Sequence, residues 1–424
     1  MISLIRNGTL IDGTGSVPLP NAGVLVADNL IRAVGLISSL GSPDSTVKEI
    51  DAGGGYILPG FVDTHVHLAF EGINIARDMA TPFSLRFYRS VQYMRRTLEA
   101  GITSVRDAGG SDVGIKQAVE EHVVLGPRIQ ISIMPLTITG GHGDFWMRSG
   151  DEFHLFPSYP GVPDGRCDGL DGVRLKVREV LRAGAEVIKI FTTGGVLSPT
   201  DHPDFTQFSP EELDVIVREA AYRGGIKVMA HAQGSEGIKN AIRAGVRSIE
   251  HGFYLDDEAI ELMLARDTFL VPTMIAAVAV LETGKESGMP EYAIRKVHDV
   301  IEAHRDSITR AHKAGVKISM GTDAGVIAHG TNLRELGLMV EIGMTPMEAI
   351  VAATKTAAEC LGWHDHIGTL QAGKLADIII TRTDPLQNIR SLEKTDNILL
   401  VMKDGEIVKD RCSESNQERA PRPA

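Results

Sequence analysis

His65-Val66-His67 closes the apolar run that begins at Tyr56. In an extended strand, residues two apart point to the same face. Both imidazoles therefore leave side by side, which suits two ligands of one metal ion. Lys189, His231, His251 and Asp323 each end a further apolar run. Neutral histidines and carboxylates are ordinary ligands of zinc, and a catalytic zinc keeps a position open for water. Each residue alone has a plainer reading. The histidines suit a core or a surface, Lys189 could snorkel from a strand end, and Asp323 could cap a following helix. Four histidines at strand ends make a metal centre the better joint reading. A lysine facing such ions must be neutral or converted to an anion.

The pattern predicts the elements that carry these residues. Up to about residue 58, short alternating runs are broken by turn formers such as Asn7-Gly8 and Asp12-Gly13, which reads as all-β. From Gly60, apolar runs alternate with amphipathic helical stretches. There are eight such runs: 61–68, 102–107, 129–139, 187–193, 227–231, 248–251, 269–273 and 317–323. Pro210–Arg223 is one of the helical stretches, with Ser209 as N-cap and Gly224 near its end. Eight βα units predict an α/β fold, a (β/α)8 TIM barrel over residues 59–366. The β style returns beyond about 366, with Asp404-Gly405 as a hairpin turn. Residues 1–58 and 367–410 together predict a small β-sandwich domain from both chain ends. Residues 411–424 are polar and read as a disordered tail.

Composition bounds the function. With 424 residues, 43% of them hydrophobic, the chain has ample core for a barrel and a second module. A net charge of -12 without basic runs gives no support for binding nucleic acid or an anionic membrane. Three widely spaced cysteines imply no disulfide framework and fit a cytoplasmic setting. No apolar run reaches the ~18 residues of a membrane span.

The set His65, His67, Lys189, His231, His251 and Asp323 resembles the binuclear branch of the amidohydrolase superfamily. The resemblance covers most of the chain and includes Gly368–Ile380, which is similar to the superfamily's return segment. It implies that His65, His67 and Asp323 bind one divalent metal and that His231 and His251 bind a second, zinc being expected for both. Lys189, carboxylated by carbon dioxide, would bridge them. A metal-bridging hydroxide would be the nucleophile, with Asp323 moving its proton to the leaving amine. Thr139–Gly143, Lys189–Val196 and His251–Asp257 further resemble the prolidase-like amidohydrolases, which cleave dipeptides and N-acyl amino acids. That likeness implies catalytic or substrate contacts for His142 and Tyr254, and it leaves a turn and a packing role open for them. His329 and Asn332, in the loop after the eighth run, either bond substrate or order that loop. Arg148 and His202 read better as surface residues, and Met147–Arg174 as a lid or an oligomer contact.

The leading function is a metal-dependent dipeptidase or carboxypeptidase preferring a C-terminal proline or hydrophobic residue, with a small amide substrate and a homo-oligomeric state. Other readings are a cyclic amidase or lactonase, an imidazolone- or nucleobase-type deaminase using Glu236, and a non-catalytic scaffold. Lys189 speaks against the deaminase, and the filled ligand positions speak against the scaffold.

Overall fold

The computed structural model describes residues 2–40 and 47–412. In chain order the strands begin with β1 (Ile2–Leu10), β2 (Leu19–Ala27), β3 (Leu30–Leu36), β4 (Lys48–Asp51) and β5 (Tyr56–Pro59). Next come β6 (Phe61–Val66), β7 (Ile102–Asp107), β8 (Arg128–Ile131), β9 (Val187–Phe191), β10 (Lys227–Ala232), β11 (Ser248–His251) and β12 (Phe269–Val271). The last are β13 (Ile378–Thr381), β14 (Ile398–Lys403) and β15 (Glu406–Asp410). The fold is mixed α/β, as the sequence pattern predicts. The expected tail falls, from residue 413 on, outside the described residues.

The chain divides into two contact units. One draws on residues 1–63, 95–104 and 330–424, the other on 64–94 and 105–329. In the first unit, strands from both chain ends make one sheet in the order β15-β14-β13-β5-β1-β2-β3, with β4 paired to β1. Alternation along these strands buries Ile5, Val24, Ile57, Ile378, Ile380 and Leu400 in one cluster. Each such side chain contributes roughly 1.5–3 kcal/mol when fully buried. The β14–β15 hairpin turns at Asp404-Gly405, both at positive φ (52° and 77°). A Cβ on Gly405 would sit 1.9 Å from the Asp28 carbonyl oxygen, so only glycine fits there.

The second unit carries the chemistry-bearing strand ends. Strands β9, β10, β11 and β12 pair in parallel, in sequence order. Their near-continuous apolar character is what a sheet covered on both faces requires. Strands β6, β7 and β8 form a three-stranded sheet. The helix Pro210–Tyr222 forms where expected, with Ser209 and Glu212 in a reciprocal capping box.

Two predicted strands are interrupted. The run 129–139 is a strand only to Ile131; Ile133 adopts φ +67°, and the chain rejoins β9 through a bridge from Leu136 to Ile190. The run 317–323 makes single bridges, Ile318 to Leu270, with Ala324 bridging Val66 just beyond it. Asp323, at φ +59°, breaks the extended backbone there.

Candidate metal centre and active site

Six side chains from five of the predicted runs converge. His65 in β6 and His67 just past its end have ring centroids 5.5 Å apart. Asp323 Oδ1 lies 3.5 Å from His65 Nε2 and 3.2 Å from His67 Nε2. These three offer ligand atoms within 4.8 Å of one another. Lys189 Nζ sits 3.4 Å from His65 Nε2. The His251 ring is 5.1 Å from that of His65, and the His231 ring is 4.5 Å from that of His251. All six side chains are buried.

The far nitrogen of each imidazole is held by the protein. His65 Nδ1 bonds Glu250 Oε2 at 2.7 Å, and His67 Nδ1 bonds the Gly109 carbonyl at 2.9 Å. His251 Nδ1 bonds Thr273 Oγ1 at 2.7 Å. His231 differs, placing Nε2 3.2 Å from the Gly194 carbonyl. A partner on one nitrogen fixes ring orientation and leaves the other for a metal. His65, His67 and His251 would thus ligate through Nε2, and His231 through Nδ1. The donor set of nitrogen and carboxylate oxygen suits a divalent ion, and the residues fit it.

Electrostatics agree with ligation. Burial, aided by neighbouring cationic groups, holds His65, His231 and His251 well below the ordinary histidine range, so they stay neutral. Burial also brings the Lys189 ammonium down to about 8. Burial pushes Asp323 upward, but the His67 hydrogen bond and the neighbouring His65, His67 and Lys189 groups outweigh it and leave the carboxyl at about 2. His251 and Asp323 both adopt positive φ, 73° and 59°. Non-glycine residues held there cost roughly 1–3 kcal/mol and cluster at functional sites.

The cage forms the floor of a pocket of ≈ 730 Å³, counting its open mouth. The wall is apolar, with Phe70, Phe145, Phe156, Phe253, Val280 and Val297 among its residues. Phe145, Leu155 and Phe156, in or beside the expected lid segment, supply part of it. Among the described residues Lys189 is the only lysine or arginine in the lining. His142 lines the pocket, stacked on His231 at 4.3 Å, with Nδ1 bonded to Ser198 Oγ at 2.8 Å. Ser198 in turn donates to Asp201. A Cβ on Gly195 would lie 2.3 Å from His142 Cε1, so glycine makes room for this ring.

Three further residues of the sequence reading, Tyr254, His329 and Asn332, are not among the residues lining this pocket. Tyr254 does not line the pocket; its ring is half-buried against an apolar cluster, and Phe253 lines the pocket in its place. His329 orders its loop: its ring stacks on Tyr93 at 4.9 Å and its Nε2 bonds the Phe70 carbonyl at 3.0 Å. Asn332 does similar work, donating to Asp63 Oδ2 at 2.8 Å. Arg148 and His202 are exposed, as expected of surface residues. Glu236, which a deaminase reading needs, has a side chain 61% exposed and sits 3.5 Å from Lys239 Nζ.

Sequence reasoning missed the groups behind the ligands. Glu250 takes His65 on one oxygen and Arg106 on the other, at 2.9 Å. Strand alternation would send Glu250 and His251 to opposite faces; the positive φ of His251 lets both serve the site. Asp107 accepts from the amides of Leu68 and Gly109, at 2.8 and 3.0 Å, and so shapes the turn that presents the Gly109 carbonyl to His67.

A strand-end cage of this composition defines a metal-dependent hydrolase. The profile of the Amidohydrolase family matches residues 56–408, and the chain belongs to that family. Ochratoxinase of Aspergillus niger is 34% identical over 421 residues, spanning 96% of this chain and 87% of that protein. A solved prolidase complexed with N-methylphosphonate-L-proline is 35% identical, with a TM-score of 0.89 over 97% of this chain and 100% of its own. A Xaa-Pro dipeptidase with methionine bound in its active site is also 35% identical, with a TM-score of 0.86 over 96% of this chain and 99% of that one. Within the family the chain is a prolidase-like amidohydrolase, a hydrolase of amide C–N bonds.

Proposed function

We propose that this enzyme is a divalent-metal-dependent dipeptidase or carboxypeptidase. Its substrates are dipeptides or N-acyl amino acids with a C-terminal proline or hydrophobic residue. The observation that carries the reading is the convergence of His65, His67 and Asp323 within 4.8 Å beneath an apolar pocket wall. The likenesses to a prolidase complexed with N-methylphosphonate-L-proline and to a Xaa-Pro dipeptidase with bound methionine support an amide next to proline or an apolar side chain.

His65, His67 and Asp323 would hold one ion, and His231 and His251 a second, zinc being the first candidate. When bound, such ions polarise the scissile carbonyl and acidify a water. The protein's own groups do the rest. With burial bringing Lys189 to about 8, a share of its amine is uncharged near neutral pH. Bond formation from the neutral Nζ to the carbon of carbon dioxide, with loss of a proton, would give Lys189 an anionic group able to help hold the ions. Asp323 accepts the proton of the attacking water and delivers it to the leaving nitrogen. His142, its far nitrogen held by Ser198, presents its other ring nitrogen to the substrate. The phenyl walls exclude bulk water and take up the apolar side chain.

The same reading includes a closed eight-stranded barrel over residues 59–366 with a sandwich of 1–58 and 367–410. Supporting closure, Leu136 N donates to Lys189 O at 2.8 Å, Ser319 N to Leu270 O at 2.9 Å, and Thr64 N to Met320 O at 3.0 Å. The three cysteines are buried and in no disulfide, in keeping with a cytoplasmic enzyme. No helix among the described residues is long and apolar enough to cross a membrane. A homo-oligomer completes the proposal, to be measured by light scattering.

A panel of Xaa-Pro, Xaa-hydrophobic and Xaa-basic dipeptides with N-acyl counterparts tests the function. Cleavage of the proline or hydrophobic members is expected. Lactone or deaminase turnover without peptide cleavage would overturn it.

A further inference from the structure

Gln233 follows His231 by two residues at the end of β10 and lines the same pocket. It is 2% exposed, and its side-chain Oε1 has no hydrogen-bond partner. Only its backbone is anchored: Gln233 N donates to Thr193 Oγ1 and Gln233 O accepts from Tyr254 N, both at 2.9 Å. The five histidines of the lining each bond a protein group, to Glu250, Gly109, Ser198, Gly194 and Thr273. Buried polar groups in folded proteins are nearly always paired, and an orphan calls for an explanation. Beside an otherwise apolar wall, the explanation that fits is a donor brought by the ligand.

We propose that Gln233 is a specificity-determining residue whose Oε1 accepts a hydrogen bond from a substrate N–H next to the scissile carbonyl. The inference rests on the amide-hydrolase reading above. Two groups offer that chemistry: the N–H of a secondary scissile amide, and the α-ammonium of a dipeptide. An N-acyl proline carries neither, since its scissile amide is tertiary. A site built around an acceptor discriminates against substrates that leave the acceptor unpaired.

Four substrates separate the sources: Ala-Phe carries both donors, propionyl-Phe the amide N–H, Ala-Pro the ammonium, and propionyl-Pro neither. kcat/KM is measured for the wild type, Gln233→Leu and Gln233→Met, with melting temperature and metal content as folding controls; the methionine variant, closest in length, serves if leucine perturbs folding. The apolar variants should lose most where the donor is present and least on propionyl-Pro. A loss of roughly three- to tenfold confined to the two Phe substrates assigns the amide N–H, the size of a neutral hydrogen bond. A loss of roughly ten- to a hundredfold confined to the two Ala substrates assigns the ammonium. An equal change on all four, or none, overturns the role of Gln233 while leaving the amide-hydrolase reading intact. A wild type that cleaves none of the four overturns that reading and the inference with it.

Discussion

Arg106 and Glu250 form an ion pair of 2.9 Å inside the protein, with side chains 1% and 0% exposed. Burial pushes the Glu250 carboxyl up, and Arg106 works against that push. Because Glu250 also holds His65 Nδ1, the pair transmits its geometry to the metal cage. Removing one member of a buried pair leaves an uncompensated charge and costs about 3–5 kcal/mol. Arg106→Met should lose stability of that order in urea unfolding, and Arg106→Met with Glu250→Gln should lose less than the two single changes summed. Glu250→Gln alone should weaken metal affinity by roughly 10–100-fold.

Asp323 is placed both to ligate and to move a proton. Asp323→Asn keeps a ligand oxygen but removes the basic carboxylate. Turnover should fall by about 10²–10⁴-fold while metal analysis shows ions still bound. Unchanged turnover would remove Asp323 from proton transfer.

His304 supplies a pH dependence away from the ligating nitrogens. Burial brings it from 6.5 down to about 4, although its Nε2 bonds the Pro272 carbonyl at 2.9 Å. The folded value lies below the unfolded one, so folding favours the neutral ring. The stability is complete above pH 6.5 and is lost as pH falls from there through about 4. A shift of that size is worth about 3 kcal/mol. His304→Gln cannot take the proton, so its unfolding free energy, from urea melts followed by circular dichroism, should depend less steeply on pH between 6 and 4 (roughly the span of the shift). An identical acid limb would contradict this.

Much of the site was legible because ligands must end strands. His65, Lys189, His231 and His251 each lie within or at the end of a short strand of buried residues, and a run of that kind has a sequence signature. Asp323 was legible as a residue, but its surrounding strand was not. Its positive φ and the single bridges at Ile318 and Ala324 depend on tertiary hydrogen bonds that no local pattern encodes. Tyr254 came from the family likeness and not from strand alternation, which with His251 facing inward already points Phe253 to the pocket. Glu250 and Arg106 lie 144 residues apart, so each reads alone as a charge in an apolar strand. Phe70, Phe145 and Phe253 carry no mark that separates a pocket wall from core.

The metal content of the purified protein and of Lys189→Ala, read with dipeptide turnover, tests the account most directly. The account predicts two divalent ions per chain in the wild type. In the variant it predicts fewer ions and no turnover, with the fold retained by circular dichroism. Full activity in Lys189→Ala with both ions bound, or a catalytically active wild type with no metal at all, would contradict it.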